Sequence, residues 1–126
     1  MSEERSEYDS FGEVRVPAEA YWGAHTQRAK ENFDVSPYRI PLPLIRSLAL
    51  TKGAAAEANR DLGLLPAETA EAVLRAAEEL REWRFDDQFP VDVFQTGSGT
   101  SWNMNVNEVI ARRASELLED AEGGEE

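Results

Sequence analysis

Apolar residues recur at intervals of three and four positions in three long stretches of the chain, and this period limits the folds open to it. The stretches cover residues 45–62, 66–83 and 106–117. Such spacing is typical of α-helices with one buried face. Gly63 follows the first stretch and Pro66 opens the second, as expected for helix ends and first turns. We therefore predict a mainly α fold with three long helices.

Extended structure is predicted only near the start. Two valines alternate with charged residues at positions 13–16, just before Pro17, which is the pattern of a short half-buried strand. Residues 1–9 are polar and charged, and we interpret them as a disordered lead-in. The third helix is expected to end near residue 118, which leaves residues 119–126 as a frayed acidic tail. One domain over residues 10–118 follows.

The composition excludes several kinds of site. The chain of 126 residues has a net charge of −12, 41% hydrophobic residues, no cysteine and one histidine. Such a surface would repel the phosphates of nucleic acid, and a chain without cysteine has neither disulfides nor thiolate metal sites. Asp86 and Asp87 are adjacent, but no third ligand lies at a metal-like spacing. We therefore expect no metal, no cofactor and no nucleic-acid partner.

The same composition bears on the environment of the protein. The sequence contains no apolar run near eighteen residues, and its first residues lack the basic and apolar regions of a signal peptide. We therefore expect a cytoplasmic protein with no membrane partner. Lys30 and Lys52 are the only lysines among 13 basic residues. An acidic, lysine-poor surface suits high intracellular salt, although an acidic protein from a dilute cytoplasm is an equally simple explanation.

Residues 95–108, which read QTGSGTSWNMNVNE, are hard to explain by packing alone. A loop of glycine, serine and threonine leads directly into the third helical period, so it lies at a helix N-terminus. The helix dipole places partial positive charge there, and Gly97 and Gly99 let an anion approach the backbone closely. Ser98 and Thr100 add hydroxyl donors. The pattern favours an anion or carboxylate site, with an ordinary capped helix as the alternative.

Three asparagines follow this loop at alternate positions, although asparagine is a poor helix former. Asn103 and Asn107 share one helix face, and Asn105 lies three residues before Glu108. This spacing predicts a buried polar network that fixes the loop. The single histidine, His25, lies beside aromatic residues, where a structural hydrogen bond is more common than catalysis. We assign it no catalytic role.

The sequence resembles the class II fumarases, within the superfamily of fumarase, aspartase and argininosuccinate lyase. The resemblance covers roughly residues 8–118 and includes the first signature region of that family. The matching segments are Phe11-Gly12-Glu13, Val16-Pro17, Tyr21-Trp22-Gly23-Ala24, Thr26-Gln27-Arg28, Glu31-Asn32-Phe33, Asp86-Asp87-Gln88-Phe89-Pro90, Gln95-Thr96-Gly97-Ser98-Gly99-Thr100, Asn103-Met104-Asn105 and Asn107-Glu108-Val109-Ile110. The resemblance implies the N-terminal helical domain of the fumarase/aspartase fold, with a short β-hairpin near its start.

The resemblance also implies an activity. Class II fumarases interconvert fumarate and L-malate in the tricarboxylic acid cycle, without a metal, and assemble as homotetramers. Ser98, Gly99 and Thr100 match the family's substrate-carboxylate segment position for position, and Asn103 is a supporting candidate. The family's catalytic acid and base have no counterpart in this chain. We therefore assign no catalytic residue, and we expect this N-terminal portion to be inactive alone.

The sequence departs from the class II fumarase pattern at two positions, and two alternative functions stay open. Trp102 stands where the family has a small polar residue, and Arg112 stands where it has asparagine. A related lyase such as aspartase is one alternative, which residues 21–28 disfavour. A non-catalytic helical module is the other, because three helices are too few to bury every apolar face and the exposed remainder implies a partner.

Overall fold

The structure is a computed structural model that describes residues 3–82, 84–95 and 99–123. Within these ranges the chain forms a two-stranded hairpin, four α-helices and one 3₁₀ turn. The mainly α fold with a hairpin near its start is confirmed, with one more helix than predicted. The elements fall into two compact units. Unit 1 contains Met1–Pro41 and Asp87–Val109, and unit 2 contains Leu42–Asp86 and Ile110–Glu126.

Unit 1 begins with an antiparallel hairpin. Strand β1 (Glu4–Asp9) pairs with strand β2 (Gly12–Pro17), and Asp9 lies opposite Gly12 across a two-residue turn. Gly12 has a φ angle of +112°, which glycine adopts without steric cost. The Asp9 carboxylate accepts the N–H of Phe11 at 2.8 Å. The turn is therefore fixed by one glycine and one carboxylate.

We predicted a disordered lead-in over residues 1–9, and strand β1 corrects this for residues 4–9. Its residues are polar and exposed or half-buried, so no apolar alternation indicates a strand. It forms because β2 supplies a pairing edge whose Val14 and Val16 are buried in the core. Arg5 also ties β1 to the chain that follows β2. The acceptors of its guanidinium, at 2.7–3.1 Å, are the carbonyl oxygens of Pro17, Ala18, Ala20 and Trp22.

Helix α1 (Ala24–Asn32) packs against both strands and was not predicted. Its buried face mixes alanine with Thr26 and Gln27, so it lacks the apolar period that marks the longer helices. Trp22, just before the helix, is buried and donates its indole N–H to Gln27 Oε1 at 2.9 Å. The aromatic segment around Trp22 therefore contributes to the core of unit 1.

Unit 2 contains α2 (Leu42–Asp61) packed against α3 (Ala67–Arg81). Small residues form the contact: a Cβ added to Gly53 would lie 3.5 Å from the Cβ of Ala77. Gly63 ends α2 with a φ angle of +74°, and the N–H after it, on Leu64, donates to the carbonyl of residue 59 at 2.8 Å. This is the Schellman arrangement that a glycine at this position predicts.

Helix α4 (Thr100–Gly123) belongs to both units, its first ten residues to unit 1 and the rest to unit 2. In unit 2 the guanidinium of Arg113 donates to both carboxylate oxygens of the buried Glu79, at 2.7 and 3.3 Å. The helix continues to residue 123, so the prediction of a frayed tail is wrong for residues 119–123. These residues are mostly Glu and Ala, which are favourable in helices.

Candidate functional site

The predicted carboxylate-binding turn lies where α4 begins. Gly99 has a φ angle of +84°, and its carbonyl accepts the N–H of Asn103 at 2.9 Å, which closes the first turn of the helix. No described atom lies within 4 Å of a Cβ built on Gly99. Thr100 is exposed, while Gly99 and Asn103 are half-buried. Three of the four predicted site residues therefore share one helix end; the fourth, Ser98, lies outside the described residues.

The electrostatics of this turn come from the backbone. The first amides of any α-helix point away from the helix body, and the dipole adds roughly half a positive charge at that end. Gly99 presents no side chain, so a ligand atom can reach the backbone there. The arrangement suits a carboxylate or another small anion. It does not by itself supply a proton donor or acceptor for a reaction.

Asn105 and Asn107, two of the three asparagines behind the turn, bond to groups other than those that the predicted network requires. Asn105 is fully buried and donates its amide N–H to the carbonyl of Gln88 at 3.0 Å, while Asn107 donates to the sulfur of Met104 at 3.4 Å. The side chain of Gln88 accepts the N–H of Tyr21 at 2.8 Å. Asn105 thus joins α4 to the segment that precedes it. It bonds a backbone carbonyl 17 residues away instead of Glu108, its neighbour on the helix.

Glu108, which was predicted to pair with Asn105, instead caps another helix. Its Oε1 accepts the N–H groups of Gly23 and Thr26 at 3.0 and 2.9 Å, and its Oε2 accepts the N–H of His25 at 3.1 Å. These are the amides at the start of α1, where a carboxylate also interacts favourably with the helix dipole. His25 is exposed, and its described hydrogen bond is this one from the backbone N–H, so a structural role for the imidazole stays a prediction.

Asp92 fixes the segment that leads toward the turn. Its buried carboxylate accepts the N–H groups of Val35, Ser36 and Phe94 and the hydroxyl of Ser36, and Arg39 lies 3.8 Å away. Burial alone would raise the pKa of Asp92, but these hydrogen bonds to the ionised form outweigh it and lower the pKa to about 2. Asp92 is therefore ionised at neutral pH.

The turn at Asp92 also determines the exposure of Phe94. Val91, three residues before Phe94, is fully buried. Phe94 is 59% exposed because the hydrogen bond from its N–H to Asp92 belongs to a tight turn, which ends the alternation of an extended chain.

Comparison with known proteins supplies the remaining evidence on identity. The chain matches the family described as Lyase over residues 12–124. The chain belongs to this lyase family. The class II fumarate hydratase of Halobacterium salinarum is 61% identical over 119 residues, which are 94% of this chain and 25% of that protein. That of Thermus thermophilus is 58% identical over 118 residues, 92% and 25% respectively. The predicted resemblance to class II fumarases is confirmed.

Solved structures show the same fold for this lyase chain. The class II fumarase from Schistosoma mansoni gives a TM-score of 0.91 at 42% identity, covering 93% of this chain and 25% of that one. The native fumarate lyase:delta crystallin from Brucella melitensis gives 0.89 at 47% identity, covering 92% and 27%. The lyase chain therefore spans about a quarter of the length of these relatives.

Other features of the lyase chain bear on its chemistry. Its described residues include no cluster of three or more His, Cys, Asp or Glu side chains that could hold a metal ion. Of the helices described, none has the length and apolar character to cross a membrane. A groove of about 470 Å³ in unit 2 is lined by residues that include Glu68, Glu71, Arg75 and Leu117, and it contains no predicted site residue. Two carboxylates beside one guanidinium leave its lining net negative, which does not favour a dicarboxylate, so the start of α4 is the better candidate.

Proposed function

We propose that this lyase chain supplies a substrate-binding wall of a fumarate hydratase, an enzyme that interconverts fumarate and L-malate. The turn at Ser98, Gly99 and Thr100, with Asn103 beside it, holds one carboxylate of the substrate. The observation that carries the proposal is the coincidence of an open helix N-terminus at Gly99 with 61% identity to a class II fumarate hydratase.

The reaction divides into binding and proton transfer. Hydration needs a base and an acid at the double bond, and a carboxylate held by donors gains further charge in the aci-carboxylate intermediate. Backbone N–H groups and hydroxyls at the start of α4 stabilise the charge that the carboxylate gains. We assign the acid and the base to the three quarters of the relatives' length that this chain does not match, and we assign the working assembly to a homotetramer.

Reconstitution tests the proposal. The chain alone and the chain mixed with a polypeptide covering the unmatched three quarters of the Halobacterium salinarum enzyme are each assayed for loss of fumarate absorbance. We expect activity only in the mixture, at the mass of a tetramer of paired polypeptides. Turnover by the chain alone would contradict our assignment of the acid and base. Stable association without turnover would favour the non-catalytic interaction module.

Thr100→Ala tests the binding role in that mixture. Losing one hydrogen bond to a charged carboxylate should weaken substrate binding by about 1–3 kcal/mol, which raises the apparent KM about 5- to 150-fold. Thr51→Ala is the matched control, because Thr51 is also an exposed threonine and bonds only the helix carbonyl of residue 47 in the described contacts. An unchanged KM in Thr100→Ala would remove Thr100 from the site.

A further inference from the structure

We propose that Glu108 is a positioning residue for the carboxylate-binding turn, because it locks the first turns of α4 onto the start of α1. The identity of the ligand rests on the proposed function. The link between α4 and α1, called the lock below, rests on the hydrogen bonds from residues 23, 25 and 26 to Glu108. Gly23 and Glu108 occur in two family segments that are 85 residues apart in sequence, and the structure joins them through one carboxylate.

The lock is specific to a carboxylate. Gly23, which precedes α1, has no side chain to cap the helix, so the amides of residues 23, 25 and 26 are satisfied by Glu108. Both carboxylate oxygens are used, and hydrogen bonds to an ionised acceptor are about twice as strong as neutral ones. A neutral amide in place of the carboxylate would turn one N–H₂ group toward a backbone N–H. Such a change loses an acceptor without altering the size of the side chain.

Gly23 is the other half of the lock. A Cβ at this position would lie 2.7 Å from Oε2 of Glu108, and real Cβ atoms essentially never approach another atom so closely. The φ angle of Gly23 is −117°, so the backbone itself would accept any residue. A Cβ at position 23 would therefore make the Glu108 carboxylate move. Such a movement should lengthen or break its hydrogen bonds to the amides of α1.

Helix geometry carries the effect to the turn. Glu108 is eight residues beyond Thr100, which is about 12 Å along the helix axis. Asn105, fully buried between them, holds the same stretch of helix through the carbonyl of Gln88. Among the described contacts, those of Glu108 and Asn105 therefore hold the first turns of α4. Releasing one of them lets the helix shift at its first turn, where Asn103 donates to Gly99 and the ligand binds.

The test uses Glu108→Gln and Gly23→Ala in the full chain, with two readouts. Amide hydrogen exchange is measured at Thr26, which reports the cap, and at Asn103, which reports the first turn of α4. L-malate is titrated while NMR shifts are followed. We expect both variants to accelerate exchange at both amides and to raise the Kd for L-malate about tenfold. The double variant should be no worse than the poorer single one, since both changes remove one interaction.

Two matched controls make the same kinds of substitution away from the contact between Glu108 and the start of α1. Glu79→Gln breaks the buried pair with Arg113 in the second half of α4, and Gly53→Ala adds a Cβ that meets Ala77 at an ordinary 3.5 Å. Both should leave Asn103 exchange and the Kd for L-malate unchanged.

The outcomes are distinguishable. Faster exchange at Thr26 with unchanged Asn103 exchange and unchanged malate affinity would overturn the inference and leave Glu108 as a cap for α1 alone. A chain that binds no L-malate would contradict the proposed function. The exchange at Asn103 would then still decide whether Glu108 positions the turn.

Discussion

Replacing Gly99 with alanine separates the structural cost of the turn from its role in binding. Gly99 has a φ angle of +84°, where an L side chain costs about 1–2 kcal/mol. No described atom lies within 4 Å of the added Cβ, so no steric clash is expected beyond that backbone cost. Alanine also restricts the unfolded chain, which returns about 0.4–1 kcal/mol. The net loss of stability is therefore about 1 kcal/mol, or about 4 °C in Tm for a chain of this size.

Gly63→Ala is the control for this change. Gly63 also has a positive φ angle, +74°, and also has open space around its Cβ, but it ends α2 in unit 2. Both variants should therefore lose about the same stability in thermal unfolding, about 1 kcal/mol. Only Gly99→Ala should weaken L-malate binding, about tenfold or more, since its Cβ and altered φ angle disturb the backbone donors. Equal malate affinities in the two variants would refute the assignment of Gly99 to the site.

Three further predictions concern stability. Leu80→Ala should cost about 2–5 kcal/mol in chemical unfolding because Leu80 is 1% exposed, while Leu62→Ala, at a residue 71% exposed, should stay within about 0.5 kcal/mol. Asp92→Asn should be less stable than the unaltered chain at pH 7. Because the folded pKa of Asp92, about 2, lies below the ordinary value of 3.8, this difference should shrink as the pH falls from 4 to 2; a constant difference would contradict the assigned hydrogen bonds. With a net charge of −12, the chain should gain Tm between 0.01 and about 1 M NaCl as screening lengths fall from about 30 to 3 Å, and an unchanged Tm would exclude adaptation to salt.

The sequence predicted those elements whose signals are local. Gly63 and Pro66 delimit α2 and α3 because each acts through its own backbone, by a positive φ angle or a missing N–H. The start of α4 after Gly99 was found from the change of a small-residue loop into an apolar period. The same signals placed three of the four candidate site residues at one helix end.

The elements that the sequence did not predict depend on distant partners. Helix α1 is capped by Glu108, more than 80 residues away, so no capping residue appears beside it. Strand β1 is fixed by pairing and by Arg5, and its own residues show no alternation. Asp92 has no motif around it, and its hydrogen-bond partners near residue 35 become neighbours only in the folded chain. Such contacts cannot be derived from local spacing.

Binding of a carboxylate at the start of α4 is the property on which the proposed function rests. An NMR titration of the labelled chain with L-malate, at constant ionic strength, measures this for each amide. We expect saturable shifts centred on Gly99, Thr100 and the side-chain amide of Asn103, and their loss in Gly99→Ala. Shifts confined to other residues, or none at all, would show that the start of α4 is not the carboxylate site.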